Sequence, residues 1–136
     1  MKPVSLLLLL FLLLLSCNTV EEGLLGEWEG TFEKIGSDGK IFDAKASCEI
    51  RSASGMNRNV TLEVAGPTYD FTAVEMDNTL EFINRALNSD STIIFYISGT
   101  AELLNDTLLH FEYETYSMNG NLLLSKDKMQ LDMVRK

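Results

Sequence analysis

Few side chains in this sequence have the types and spacing that chemistry requires. His110 is the single histidine. A serine or cysteine nucleophile needs such a base, but strand parity puts His110 with Glu112 and Glu114, on the wet side of its segment. Zinc sites gather several closely spaced Cys and His ligands, and neither a second histidine nor a close cysteine pair exists. Gly-rich phosphate loops are also missing. Paired carboxylates, as in glycoside hydrolysis, are conceivable at Glu27 with Glu29 or at Glu112 with Glu114, since residues two apart on a strand share a face. Parity turns both pairs to solvent. The expectation is a non-catalytic protein with no metal and no cofactor.

The cysteines carry the clearest signal. Lys2 precedes an apolar run, Leu6 to Leu15, that ends Leu14-Leu15-Ser16-Cys17. A bilayer span needs about twenty residues, so this run is too short to cross. Its charged start and length fit an export signal. The four closing residues resemble the lipobox of bacterial lipoproteins: an apolar residue, a small residue, then the cysteine. That resemblance implies a diacylglyceryl thioether on Cys17, cleavage after Ser16 and acylation of the new amino terminus. Two or more acyl chains make such an anchor stable. The expected division is a signal peptide over 1–16, a lipidated tether over 17–23 and one domain over 24–136. With Cys17 on lipid, Cys48 has no partner, and its phase puts it inside.

Charge narrows the partners. The chain carries a net −9, and losing Lys2 with the signal makes it more acidic still. Nucleic acid, which is held through Lys and Arg, is excluded as a partner. The membrane, reached through lipid on Cys17, is the expected one.

From Leu24 onward the hydrophobic pattern has period two, the signature of strands with one wet face. Trp28, Gly30 and Phe32 alternate with Glu27, Glu29, Thr31 and Glu33. Ala44, Ala46, Cys48 and Ile50 alternate with Lys45, Ser47, Glu49 and Arg51. Similar runs follow at Val60 to Val64, Tyr69 to Ala73, Leu80 to Phe82, Ile93 to Leu103, Leu109 to Tyr113 and Met129 to Met133. A phase slip near Val74 to Met76 suggests a bulge, and residues 121–126 fit no element. Short turns at Asp38-Gly39, Gly66-Pro67, Asn105-Asp106 and Asn119-Gly120 leave no room for crossover helices, so neighbours pair antiparallel. The expected fold is all-β: an antiparallel up-and-down meander of about eight strands, closed into a small barrel that hides its edges. A two-sheet sandwich is the alternative.

Gly26-Glu27-Trp28, opening the first strand, resembles the Gly-x-Trp start of lipocalin-like barrels. The segment from Ser98-Gly99-Thr100 to Asn105-Asp106-Thr107 resembles a hairpin of small lipocalin-like lipoproteins of the Bacteroidetes type. In that family the Trp closes the barrel floor, which gives Trp28 that role. The chain departs from lipocalins proper in ending on Met133-Val134-Arg135-Lys136 without a terminal helix. Avidins share the opening motif but need several tryptophans, and Trp28 is the only one. Glu21-Glu22 resembles the surface-export signal of such lipoproteins. Asp90-Ser91-Thr92 and Asp106-Thr107-Leu108 resemble their O-glycosylation pattern.

The expected interior is apolar: Trp28, Phe32, Phe42, Ile50, Leu62, Phe71, Phe82, Phe95, Phe111 and Leu131, with Tyr69 and Tyr113 as polar handles. Small residues such as Gly30, Ala44 and Gly99 leave space for a cavity or let large neighbours interdigitate. Two functions follow. One is a lipocalin-like module binding a small hydrophobic ligand through Trp28, Tyr69, Phe71, Phe95 and Tyr113. The other is a filled barrel that meets another envelope protein, with Ile94 and Tyr96 on the outward face. Either one would act at the cell envelope, on the outer membrane in the periplasmic or surface-facing sense. A clickable fatty acid fed to expressing cells should label the wild type and leave a Cys17→Ala variant unlabelled; equal labelling of both would contradict the lipobox reading.

Overall fold

The computed structural model describes residues 23–35, 38–88 and 92–136. The expected signal peptide, Cys17, the expected tether as far as Glu22 and part of the Asp90-Ser91-Thr92 motif lie outside the described residues.

Eight strands follow one another in chain order: β1 (Gly26–Ile35), β2 (Ile41–Ser52), β3 (Asn57–Val64), β4 (Thr68–Met76), β5 (Thr79–Ala86), β6 (Ile93–Asn105), β7 (Leu108–Asn119) and β8 (Leu122–Arg135). Each pairs antiparallel with the next, and β8 returns to β1, so the meander forms a closed ring. The alternation explains it. Apolar positions such as Trp28, Cys48, Leu62, Phe82, Ile97, Phe111 and Leu131 all point inward and are almost completely buried. Cross-strand partners share a face, as with Trp28 opposite Cys48 and Cys48 opposite Leu62. Ala65 and Gly66 both take positive φ in the β3–β4 turn, and Asp77 does so in the β4–β5 turn. Residues 121–126, unplaced from sequence, form the turn and the first part of β8.

Closure is uneven around the ring. β1 meets β8 only through Trp28 with Arg135 and Glu29 with Val134. β4 meets β5 only through Val74, Glu75 and Met76 with Glu81, Leu80 and Thr79. By contrast β6–β7 and β7–β8 stay paired along nearly their whole length. The ring is therefore two four-stranded halves, β1–β4 and β5–β8, joined at one end. Gly30 marks where the β1–β8 seam is tightest. A Cβ there would lie 2.3 Å from the backbone carbonyl oxygen of Asp132, so only glycine allows this approach.

The joined end is a sealed floor. Leu24 and Trp28 are buried, and the Trp28 indole N–H donates to the Leu24 carbonyl at 3.1 Å. Arg135 lies 4.3 Å above the Trp28 ring, and its guanidinium donates to the Leu25 and Gly23 carbonyls. The phase slip expected near Val74 to Met76 is not a bulge, because the β3–β4 register runs unbroken to Val74. Glu75 keeps the inward parity of Phe71 and Ala73 and meets inward Arg58 at 2.5 Å. A polar residue on an inward position looks like a lost phase when its partner is seventeen residues away in the chain.

The opposite end is the mouth. Phe42 and Phe95, expected in the core, keep inward parity but are about half exposed, at 49% and 50%. They sit near strand ends beyond the packed layers, where no facing strand covers them. The lower interior is filled: Phe71 and Phe82 touch with ring centroids 4.7 Å apart, and neighbouring apolar side chains are solvent-free.

Candidate functional site

The most unusual piece of backbone lies on β5. Up to Phe82 the strand pairs in register with β6, Phe82 opposite Gly99; after a shift, Arg85 stands opposite Ile97. Between them Ile83 is exposed and Asn84 takes a φ of 49°, a region that a non-glycine residue enters seldom. Outer-face bonds hold it there. The Asn84 backbone N–H donates to the Ser98 hydroxyl at 2.6 Å, and the Asn84 side-chain oxygen accepts from Ser98 and from Tyr116. Bulges re-aim side chains. Simple alternation would turn Asn84 inward and Arg85 outward; the bulge reverses them. Arg85 shares the interior face with fully buried Ile97. Its Nε is buried and has no hydrogen-bond partner among the described residues.

Arg85 is two residues before Leu87, in the inward row of Ile97, Thr115 and Asp127, and so adjoins without itself lining the mouth, a cleft of about 520 Å³ whose walls include Tyr69, Leu87, Phe95, Thr115, Ser125 and Asp127. Tyr69 comes from the β1–β4 half and the others from beyond the β4–β5 seam. Its existence follows from the missing pairing: where β4 and β5 no longer hydrogen-bond, side chains at the ends of their half-rings face open space. A depression of about 570 Å³ over the outer face of β6–β8 is walled by Glu112, Glu114, Lys128 and Gln130. It belongs to the solvated surface, where Lys126 already pairs with Glu114 at 3.1 Å.

The five residues expected to bind a ligand separate by height. Tyr69 and Phe95 line the mouth. Tyr113 and Phe71 lie in the packed interior. Trp28 is at the floor, at the far end from the opening. Gly99 makes the place for Tyr113, since a Cβ there would come 2.6 Å from the Tyr113 Cα. Burial pushes the Tyr113 phenol up from its ordinary value, and nearby Tyr69 pushes it further. Cys48 is buried, and burial, then Glu49, pushes its thiol up as well. His110 is on the outer face, 2.6 Å from Asp132, away from the cleft. Among the described residues no group of three His, Cys, Asp or Glu is placed to hold a metal.

No family model, curated protein or solved structure matches this chain. The site therefore rests on its own geometry. Sequence reasoning missed Arg85, Leu87, Thr115 and Asp127. One signal was present: Ile83 directly after Phe82, two large apolar residues in succession where alternation allows one.

In chemical terms the mouth offers phenol and hydroxyl groups, the Asp127 carboxylate and a few apolar walls, with Arg85 in the adjoining inward row. The buried phenol gives a pH test. Below its ordinary value near 10 both folded and unfolded chains keep the Tyr113 proton; above it the unfolded chain loses the proton while the folded one retains it. The Tyr113 contribution to stability should thus be full below pH 10 and fall as pH rises, by at most about 1.4 kcal/mol per unit for one proton. Cys48 adds a loss of the same sign from near pH 9. In denaturant titrations followed by Trp28 fluorescence, Tyr113→Phe should flatten the decline above pH 10. An unchanged slope would contradict the assignment.

Proposed function

We propose that this chain is a lipid-anchored envelope protein, a lipocalin-like lipoprotein, whose barrel mouth binds one small amphipathic molecule. The observation that carries this reading is the cleft between the two half-rings, walled by partly buried Tyr69 and half-exposed Phe95 above a solid core. Small-molecule sites are largely apolar clefts of roughly 300–1,000 Å³ with a few placed polar groups, and the mouth has that size and makeup. The packed lower interior favours a ligand seated in the opening over one swallowed whole.

The anchor fits this orientation. Gly23 is held at the floor by Arg135, so a chain lipidated at Cys17 would approach its membrane from the floor side. The mouth would then face the aqueous space. Lipidation, the outer-membrane address and the export signal rest on the amino-terminal residues alone.

A filled barrel that binds another envelope protein is the second reading. The packed core favours it, as does the outer face, where Tyr96 stacks on Tyr116 at 5.1 Å beside exposed Ile83. A thermal-shift series separates the two. With 1-dodecanol at a hundred times its dissociation constant, the protein should gain about 2.7 kcal/mol of stability. A Tyr69→Ala/Phe95→Ala double variant should lose most of that gain. If neither 1-dodecanol nor any other single-chain amphiphile shifts the wild type, the mouth is not a binding site and the surface reading stands.

A further inference from the structure

We infer that the mouth selects amphiphiles with a carboxylate head, and that Arg85 is the residue that binds it. This rests on the reading of the mouth as a ligand site and adds the charge of the ligand.

The four arginines of the chain differ in how they are used. Arg51 reaches the Thr61 hydroxyl on the outer face. Arg58 has Glu75 and two backbone carbonyls. Arg135 has three carbonyls and the Trp28 ring. Arg85 alone has no hydrogen bond or ion pair with the described residues, although its Nε is sealed from solvent. A buried donor left unmade is unfavourable, and natural proteins leave few of them. Here the fold goes to the trouble of a bulge and a positive φ at Asn84, locked by Ser98 and Tyr116, to turn this side chain inward. The arrangement is accounted for if something outside the chain completes the guanidinium.

A carboxylate is the complementary group. Its two oxygens match the planar fork of a guanidinium, and such charge-assisted pairs are short and strong. Leu87 and Phe95, walls of the mouth one inward position above Arg85 and its partner Ile97, would take the apolar part of the same molecule. The chain's net charge of −9 gives an anion no long-range attraction, so selection has to come from the local guanidinium. One group opposes it. Asp127 faces the same interior row, since Arg85 is paired with Ile97, Ile97 with Thr115 and Thr115 with Asp127. It is exposed and forms no ion pair with Arg85, so it tempers anion binding without neutralising the site.

The test is calorimetric titration of the purified protein with three probes that share one chain, laurate and dodecyltrimethylammonium below their micelle concentrations and 1-dodecanol below its solubility limit. Hydrogen bonds to charged groups lead us to expect laurate to bind roughly ten- to a hundredfold more tightly than 1-dodecanol, with the ammonium weakest. Arg85→Gln should bring laurate down to the 1-dodecanol level, Arg85→Lys should keep part of the preference, and Asp127→Asn should strengthen laurate a few-fold. The wild-type comparison stands even if an Arg85 variant folds poorly. Equal affinity for laurate and 1-dodecanol, with Arg85→Gln indifferent, overturns the inference and leaves the mouth as a neutral site. Failure of all three probes overturns the binding reading and the inference with it.

Discussion

The packing of Arg135 over Trp28 is the contact on which this ring depends. β1 and β8 share only two residue pairs, too few to close a barrel by backbone bonding alone. Side chains supply the rest. The indole is fully buried and bonded to Leu24, and the guanidinium covers it while tying the last strand to Leu25 and Gly23. The Lys136 backbone N–H extends the join by donating to the Glu27 carbonyl at 3.0 Å. A desolvated cation over an indole face is worth up to about 2 kcal/mol, and the carbonyl bonds fix where it stands. The first and last strands are thereby held together across almost the whole length of the sequence.

Everything above the floor follows from that join being local. Because β1–β8 and β4–β5 pair at one end only, the interior grades from solid to open. Near Trp28, Leu62, Leu80 and Leu109 the packing is dry. Toward Tyr69 and Phe95 the same inward parity meets no opposing wall. The mouth is thus a consequence of short seams, and its chemistry comes from what the strand ends present there. Arg85 turns inward beside it only because β5 gains a residue after Phe82. A rigid, filled base under a cleft with few polar groups is a pre-organised arrangement, which lowers the ordering that binding would otherwise require.

Much of this fold was legible from alternation. The strand parity of Trp28, Cys48, Leu62, Phe82 and Phe111 needs only a period of two, because each of these strands buries one face. Parity alone does not report depth, and so Phe42 and Phe95 read as core although they stand at strand ends over the opening. Arg58 and Glu75 were hidden for another reason: each looks like a wet-face residue until the other is placed beside it. Arg85 was the hardest to see. Its direction depends on a bulge, and the bulge depends on Asn84 meeting Ser98 and Tyr116 from two other strands. Local pattern carries none of that, whereas the strand alternation around Trp28 and Cys48 is contiguous and could be read directly.

Amide hydrogen exchange tests the uneven closure most directly, because protected segments open only with the whole molecule while weakly held ones open locally. The account predicts that amides at the floor, around Trp28 on β1 and Met133 to Arg135 on β8, exchange only through global unfolding. Amides farther up the same two strands, from Thr31 to Glu33 and from Lys126 to Gln130, should include a fast class where the seam is unpaired. Uniform protection along the full length of β1 and β8 would contradict a ring sealed at one end and open at the other.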